Sequence, residues 1–386
     1  MMNKRYYFDH NATTPVRPEV IEAMMPYLTH KYGNASSAHS YGREAHLALE
    51  RSRETVAGLI GAEPEEILFT GCGTESDNIA LLGYMQSAPG ERNGLITSKV
   101  EHSAILKASA RLERDGFHVT RLDVDGSCRV RPDMLKEAVN SSTALVSIMH
   151  ANNETGVLQD IEEAALIAHE AGALFHTDAV QSTGKIHIDV RKMGIDMLSL
   201  SGHKLNAPKG VGALYIRKGV TVTPLTYGGQ HEYGIRPGTE NIPWIVALAK
   251  AVELSWESMD EKADTLSKLR DRLERGIERD IPNVIINGKK APRLPGTSNI
   301  SFPGVDGEAL LFSMDTEGIA VSTGSACTTG EVEPSHVLIA MGREPKVAQS
   351  SLRFSMGWGT SEEGVEHILE VLPPIVERLR NIAGGI

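Results

Sequence analysis

Short apolar runs alternate with longer amphipathic stretches through the middle of the chain. Ile67-Leu68-Phe69-Thr70, Leu95-Ile96-Thr97, His118-Val119-Thr120-Arg121-Leu122, Ala144-Leu145-Val146-Ser147-Ile148-Met149 and Leu174-Phe175-His176-Thr177 have the length and side-chain type of strands. Residues 75–84, 103–115, 132–139 and 161–171 lie between or beside them and carry helical spacing. Ahead of this block, 18–28 and about 41–60 read as helices, the second with Leu47, Leu49, Val56 and Leu59 as its apolar positions. Two more short buried strands, 195–200 and 211–216, flank a Pro/Gly turn. Strands separated by helical crossovers predict a mostly parallel, doubly wound α/β sheet. In such sheets ligands sit beyond the carboxyl ends of the strands.

The pattern then changes. Residues 247–281 are long-helical and highly charged, with a hinge expected at Glu257-Ser258-Met259-Asp260. After them come strand-like runs at 284–286, 297–302 and 351–355, a helix near 308–316 and a last helix over about 361–382. This reads as a smaller α+β unit. The expected division is a large domain over 15–257 and a small one made of 1–14 and 258–386. No internal repeat or low-complexity segment interrupts it.

Length and charge narrow the function. The chain has 386 residues, enough for two domains with sizeable cores. Its net charge of −11, without a long basic run, argues against general binding to nucleic acid or anionic membranes. The start of the chain has no apolar signal-peptide core, and no apolar run reaches membrane-spanning length. Cysteines occur only at 72, 128 and 327, an odd number without disulfide or zinc spacing. The cytoplasm is the expected compartment.

Lys204 stands where the first strand of the Pro/Gly pair ends, in Ser201-Gly202-His203-Lys204. Partial burial there lowers the pKa of an amine, and a neutral lysine can form a Schiff base with an aldehyde cofactor. Taken alone, it reads first as an ordinary turn lysine. Gly71-Cys72-Gly73-Thr74-Glu75-Ser76 joins a strand to a helix and is either an anion cradle or a plain turn. Asp178 ends a strand and is either a partner for a pyridinium nitrogen or a helix cap. His102 opens a helix, where an imidazole stacks on a flat cofactor or serves the fold. Asn152 donates to a cofactor hydroxyl or caps a turn, and Gln181 is close enough to reach the same ligand as Asp178. Cys327 lies among small polar residues in a segment that reads as an exposed loop, either reactive or inert. Arg353, on a strand, is a fork for a substrate carboxylate or half of a salt bridge.

Together these residues resemble a pyridoxal-phosphate enzyme of the aspartate-aminotransferase fold type. More closely, Tyr7-Phe8-Asp9-His10-Asn11-Ala12-Thr13-Thr14-Pro15, Gly73-Thr74-Glu75-Ser76-Asp77-Asn78, His150-Ala151-Asn152-Asn153-Glu154, His176-Thr177-Asp178-Ala179-Val180-Gln181, Ser201-Gly202-His203-Lys204 and Gly324-Ser325-Ala326-Cys327 resemble the cysteine desulfurases of NifS/IscS type. The resemblance spans nearly the whole chain. It implies a fold-type I transferase with a large cofactor domain and a smaller α+β domain carrying the cysteine loop, about 322–334.

The resemblance also implies roles. Lys204 carries pyridoxal phosphate as its Schiff-base lysine and moves the Cα proton. Asp178 pairs with the pyridine nitrogen, Asn152 and Gln181 flank the ring oxygen, and His102 stacks on the ring and joins the catalytic set. Gly73, Thr74, Ser201 and His203 hold the phosphate. Thr239 reaches the phosphate in a neighbouring subunit, implying a homodimer. Arg353, with Asn152, takes the substrate carboxylate. Cys327 accepts sulfur from L-cysteine as a persulfide, alanine leaves, and the sulfur goes to an acceptor such as an iron–sulfur scaffold. No metal ligand is implied, apart from Cys327 as a transient iron–sulfur ligand. The sequence stops soon after Arg378-Leu379-Arg380, before the longer tail that housekeeping members use to dock the scaffold, so the resemblance does not carry over that partner's docking mode. The rival readings are a selenocysteine lyase or aminotransferase on the same scaffold, and a non-catalytic assembly platform. The platform would be expected to lose Lys204 or Cys327, and both are present.

Overall fold

Seven strands hydrogen-bond into one sheet. In chain order they are β1 (Ile67–Thr70), β2 (Gly94–Ser98), β3 (His118–Leu122), β4 (Thr143–Ser147), β5 (Leu174–Asp178), β6 (Met197–Ser201) and β7 (Gly212–Ile216). The computed structural model describes residues 4–88, 90–323 and 333–383. Across the sheet the order is β1-β7-β6-β5-β4-β2-β3. From β3 to β6 every pair is parallel, while β7 runs against both its neighbours. The cause is the β6–β7 connection, which contains only a 3-10 turn at Gly202–Lys204. A parallel return needs a full crossover, and a short connection returns the chain antiparallel.

Alternate residues of the buried strands feed two different cores. Ile67, Phe69, Leu198, Ala213 and Tyr215 pack with Val20, Val56, Ile60 and Leu248 on one face. Leu68, Met197, Leu214 and Ile216 pack with Leu81, Ile105 and Leu112 on the other. Both faces are covered, so these strands read as near-continuous apolar runs. Only β3, at the sheet edge, alternates exposed and half-buried positions along most of its length. The helices Pro18–Thr29 and Ser40–Ile60 pack on Ile242–Trp256.

A separate core surrounds a three-stranded antiparallel sheet, β8 (Ile285–Asn287), β9 (Thr297–Ser301) and β10 (Ser351–Ser355), ordered β10-β9-β8. Helices Met259–Asp280 and Glu362–Ala383 close it through Leu273, Ile277, Leu372 and Val376. Phe8 belongs to this core, and Tyr6–Tyr7 pairs in parallel with Ile319–Ala320. The chain start then crosses to the large sheet, where Thr14 N (3.0 Å) and Oγ1 (2.8 Å) both donate to His203 O.

The sequence pattern matches most of these elements to within a few residues. The charged helical stretch does break at Glu257-Ser258, although its first helix starts at Ile242 with a proline in its opening turn. The helix expected from Glu75 starts at Gly73 and widens to π geometry over Ile79–Gly83. The pairing of Tyr6–Tyr7 and the five-residue helices His336–Ala340 and Pro345–Gln349 have no periodic signature because each is too short to show one. Among the described residues, no helix is long and apolar enough to cross a membrane.

One buried ion pair ties the surface segment before Thr239 to the sheet. Arg53 Nη2 donates to Glu232 Oε1 at 2.8 Å, and Arg53 Nη1 donates to Glu232 Oε2 at 3.0 Å and to Ile67 O at 2.6 Å. Glu232 Oε2 also accepts Phe69 N at 2.7 Å. These bonds hold Glu232 and Tyr233 at φ 44 and 58, left-handed positions that disfavour side chains. Glu232→Ala would leave the buried guanidinium with only the half-exposed Glu50, 3.4 Å from its Nε, as counter-charge, so we expect a loss of about 3 kcal/mol. Denaturant unfolding midpoints check this, and Arg53→Met/Glu232→Met should recover part of the loss. An Ala variant as stable as the wild type would show the pair to be dispensable.

Candidate active site

The carboxyl ends of β5 and β6 and the turn after β1 open on one cavity of about 370 Å³. Lys204 enters it because the turn after β6 is tight. A Cβ on Gly202 would come within 2.8 Å of Val211 Cγ1, so only glycine lets the chain fold back there. Lys204 Nζ donates to Asn11 O at 2.5 Å and Ala12 O at 2.7 Å. Burial and the nearby Arg353 lower its pKa to about 8, against the pull of Asp9 and Asp178.

Asp178 stands at the end of β5, with Oδ1 accepting Val180 N at 2.9 Å. Burial raises its carboxyl, and His102 and Lys204 hold the rise back. Asp77, on the helix Gly73–Asn78, faces it. Carboxylate oxygens of Asp77 and Asp178 and a ring nitrogen of His102 all lie within 4.8 Å of one another. His102 caps its helix, with Nδ1 accepting Ala104 N at 3.2 Å, which assigns the other ring nitrogen to the cavity side. Its ring is open to the cavity, yet the surrounding walls exclude enough water to lower its pKa, with Asp178 opposing.

At the other end Gly73, Thr74, Ser201 and His203 line the same space. A Cβ on Gly73 would meet Val180 Cγ2 at 2.7 Å and Ser201 Cβ at 3.4 Å, which keeps that turn bare. His203 Nδ1 lies 3.2 Å from Thr13 Oγ1, and burial with Lys204, Lys209 and Lys185 pulls its imidazole down to about 4. Gln181 donates from Nε2 to Asn11 O at 2.9 Å and accepts from Lys185 Nζ at 3.1 Å.

One expected residue is displaced. Asn152 is fully buried and does not line the cavity. Its Oδ1 accepts from Glu154 N, Thr155 N and Thr155 Oγ1, and its Nδ2 donates to Val100 O. Its amide is spent on closing the turn, and the neighbouring Asn153 lines the wall instead. Arg353 also lines the cavity, already engaged with Asp9 Oδ1 at 2.7 Å and Asn153 O at 3.1 Å. Thr239 lies in a different hollow of about 410 Å³, with Arg236 and Glu240. Cys327 lies outside the described residues. The chain on either side of it is anchored at the site: Ser322 pairs with Arg353, and Ser335 Oγ donates to Glu154 at 2.5 Å.

Sequence reasoning gave no role to Asn11, Ala12, Asp77 or Lys185, although the first three sit inside motifs it singled out. Asn11 is the hub: its carbonyl serves Lys204 and Gln181, and its Nδ2 donates to Asn153 O and Thr297 Oγ1, both at 3.1 Å.

Among the described residues, three polar atoms in the cavity wall are buried without a hydrogen-bond partner: Asp77 Oδ1, Ser201 Oγ and Arg353 Nε. Buried polar atoms are normally paired, so a wall with three orphans calls for a polar ligand. An amine for an aldehyde, carboxyls opposite it for a ring nitrogen, an imidazole and a Gly/Ser/Thr end for an anion together fit pyridoxal phosphate.

The aminotransferase class-V family model matches residues 6–368. Cysteine desulfurase IscS of Dictyoglomus turgidum is 47% identical over 382 residues, covering 99% of this chain and 97% of the relative. Cysteine desulfurase 2 of Trichormus variabilis is 49% identical over 378 residues, covering 98% and 94%. Among solved structures, a NifS-like protein superposes with a TM-score of 0.91 at 39% identity, over 97% of this chain and all of that one. SspA, solved in complex with cysteine, reaches a TM-score of 0.82 at 38% identity, over 91% of this chain and 98% of its own.

Two experiments probe this geometry. Asn152→Ala should cost about 2 kcal/mol in stability through the backbone donors it strands. Asn153→Ala should leave stability nearly intact and weaken cofactor retention. Paired unfolding and cofactor-absorbance measurements decide, and the reverse assignment would restore Asn152 to the site.

In protein freed of cofactor, reductive methylation of Lys204, followed by peptide mass spectrometry, should rise with pH and level off above about 8, the pKa to which burial lowers it from 10.5. Exposed lysines continue to gain reactivity toward their ordinary value. Arg353→Gln should move the midpoint up by part of the shift, since burial is the larger cause. A Lys204 that titrates like surface lysines would remove the basis for its reactivity.

Proposed function

The chain belongs to the class-V aminotransferase family and, within it, to the cysteine desulfurases of NifS/IscS type, and from that premise we propose the part each cavity residue plays. The enzyme is pyridoxal-phosphate dependent and converts L-cysteine to L-alanine, passing the sulfur to an enzyme cysteine as a persulfide. The observation that carries the residue assignment is the lowered Lys204 amine at one cavity wall with Asp178 and three unpartnered polar atoms around it.

Pyridoxal phosphate, when bound, supplies an aldehyde that captures an amine and a ring that draws electrons from the bonds at the substrate Cα. Lys204 Nζ would hold that aldehyde and, once displaced by the substrate amine, take the Cα proton. Asp178 would keep the ring nitrogen protonated. His102 would cover the ring, and Gln181 and Asn153 would flank its hydroxyl. Gly73, Thr74, Ser201 and His203 would take the phosphate; His203, neutral near pH 7, serves there as a hydrogen-bond donor. Arg353 Nε, which has no partner among the described residues, would donate to the substrate carboxylate, while Asp9 holds the guanidinium in place. The Cys327 thiolate would attack the substrate sulfur, form the persulfide and release alanine.

We assign 15–257 as the cofactor-binding unit, and 1–14 with 258–386 as the small unit; the separate apolar cores support this division. A homodimer is proposed, with Thr239 completing the partner's phosphate site, since its own cavity lies elsewhere. An iron–sulfur scaffold is the proposed sulfur acceptor.

Lys204→Ala should lack the cofactor's lysine-bound absorbance and make no alanine. Cys327→Ser should bind L-cysteine and perturb that absorbance without turnover, because a hydroxyl cannot become a persulfide. After one turnover of the wild type, mass spectrometry should find one added sulfur on Cys327. Added sulfur on Cys72 or Cys128, or alanine at the wild-type rate from Cys327→Ser, would refute this assignment.

A further inference from the structure

Two buried carboxyls face each other at the cavity wall, and the roles above use only one. Asp77 and Asp178 are 1% and 5% exposed, with oxygens within 4.8 Å. They come from different elements, the helix after β1 and the end of β5. Among the described ion pairs Asp77 has no lysine or arginine; its nearest basic partner there is His176 Nε2, 3.8 Å away. That ring is held between Ser147 Oγ on β4 (2.8 Å) and Ser199 Oγ on β6 (3.1 Å), and burial pulls it down to about 3, so it is neutral. The other titratable groups facing Asp77 are Cys72 on its own turn, Glu101 ahead of the neighbouring helix, Asp178, and His102 across the cavity. Glu101 is itself raised to about 8 by burial and brings no compensating charge.

Two carboxylates this close in a water-poor site do not both ionise near neutral pH. We propose that Asp77 and Asp178 form a one-proton pair, Asp178 carrying the charge and Asp77 the proton, so that a bound ring nitrogen meets one negative charge. The inference rests on the assignment of Asp178 to that nitrogen. Asp178 is the ionised member because Val180 N–H, His102 and Lys204 favour its anion. Asp77 has only the hydroxyl of Ser199 to favour its own, and burial and Asp178 both raise it. Asp77 is a positioning residue: it sets the charge of the wall, and it is the acid that remains when Asp178 is removed.

Infrared spectroscopy of the holoenzyme tests the pair, with aspartate carrying carbon-13 in its side-chain carboxyl so that Glu101 is told apart. The wild type should show an aspartic-acid C=O stretch at neutral pH that Asp77→Asn lacks. In Asp178→Asn the stretch should disappear at a lower pH than in the wild type, because Asp77 no longer faces a neighbouring charge. No such stretch in the wild type, a stretch retained in Asp77→Asn, or equal titration in wild type and Asp178→Asn overturns the pair. If Asp77→Asn does not fold, the comparison of wild type with Asp178→Asn decides alone. In turnover, the double variant should lose about tenfold more kcat/KM than Asp178→Asn. A double variant no worse than Asp178→Asn overturns the role of Asp77. A wild-type rate in Asp178→Asn, with the infrared result intact, overturns instead the assignment of Asp178 to the ring nitrogen.

Discussion

The carbonyl of Asn11 is the contact on which the site depends. It accepts from Lys204 Nζ and Gln181 Nε2, two side chains from different strand ends. Its residue comes from neither: Asn11 follows Phe8, which is packed in the small core, by three positions. The amine that would hold the cofactor is therefore aimed by a segment whose other end is fixed in another core. Asn11 Nδ2 extends the tie to Asn153 and to Thr297 on β9, so the small sheet, the large sheet and the amine share one short polar bridge. A backbone carbonyl suits this task. It orients an amine without supplying a full counter-charge that would raise its pKa, as a carboxylate at that distance would.

The electrostatics of the cavity follow from this choice. Cations and acids are both present, but their close contacts are staggered. Arg353 pairs through Nη2 with Asp9 rather than with Asp178, and Lys185 donates to the amides of Gln181 and Asn11. Burial and Lys204 draw the Lys185 amine down to about 7. Asp178 is left with a backbone N–H as its closest donor. Burial thus acts on both sides, pulling amines down and pushing acids up. The groups that must exchange protons are brought toward the working pH without any of them being locked in a salt bridge.

Much of this was legible in the residues. Strand ends are predictable from apolar runs, and a ligand crevice at carboxyl ends is a property of parallel sheets. Strand ends therefore made Lys204, Asp178, Gln181, His102 and the Gly73-Thr74 turn candidates, and the resemblance to cysteine desulfurases joined them in one site. What escaped the sequence depended on the inside of turns. Asn152 and Asn153 are adjacent, identical and both in a turn, and no periodicity says which side chain points out. The answer lies in hydrogen-bond supply: the backbone donors of Glu154 and Thr155 are taken by the first amide. Asp77 escaped because helical spacing places it on the inner face but cannot say that β5 brings a second carboxyl opposite.

The antiparallel return of β7 shows how far such local facts reach. Had a helical crossover followed β6, the last strand would have run parallel to it. The Gly202–Lys204 turn instead packs Ser201, His203 and Lys204 into four consecutive positions that touch the amine end and the anion end of one cavity. A ligand spanning that cavity is gripped at both ends by one turn, and the N-terminal segment locks the turn through Thr14 on His203 O. The tight return makes both pairings of β7 antiparallel and gives the site a lysine whose approach is fixed before any ligand binds.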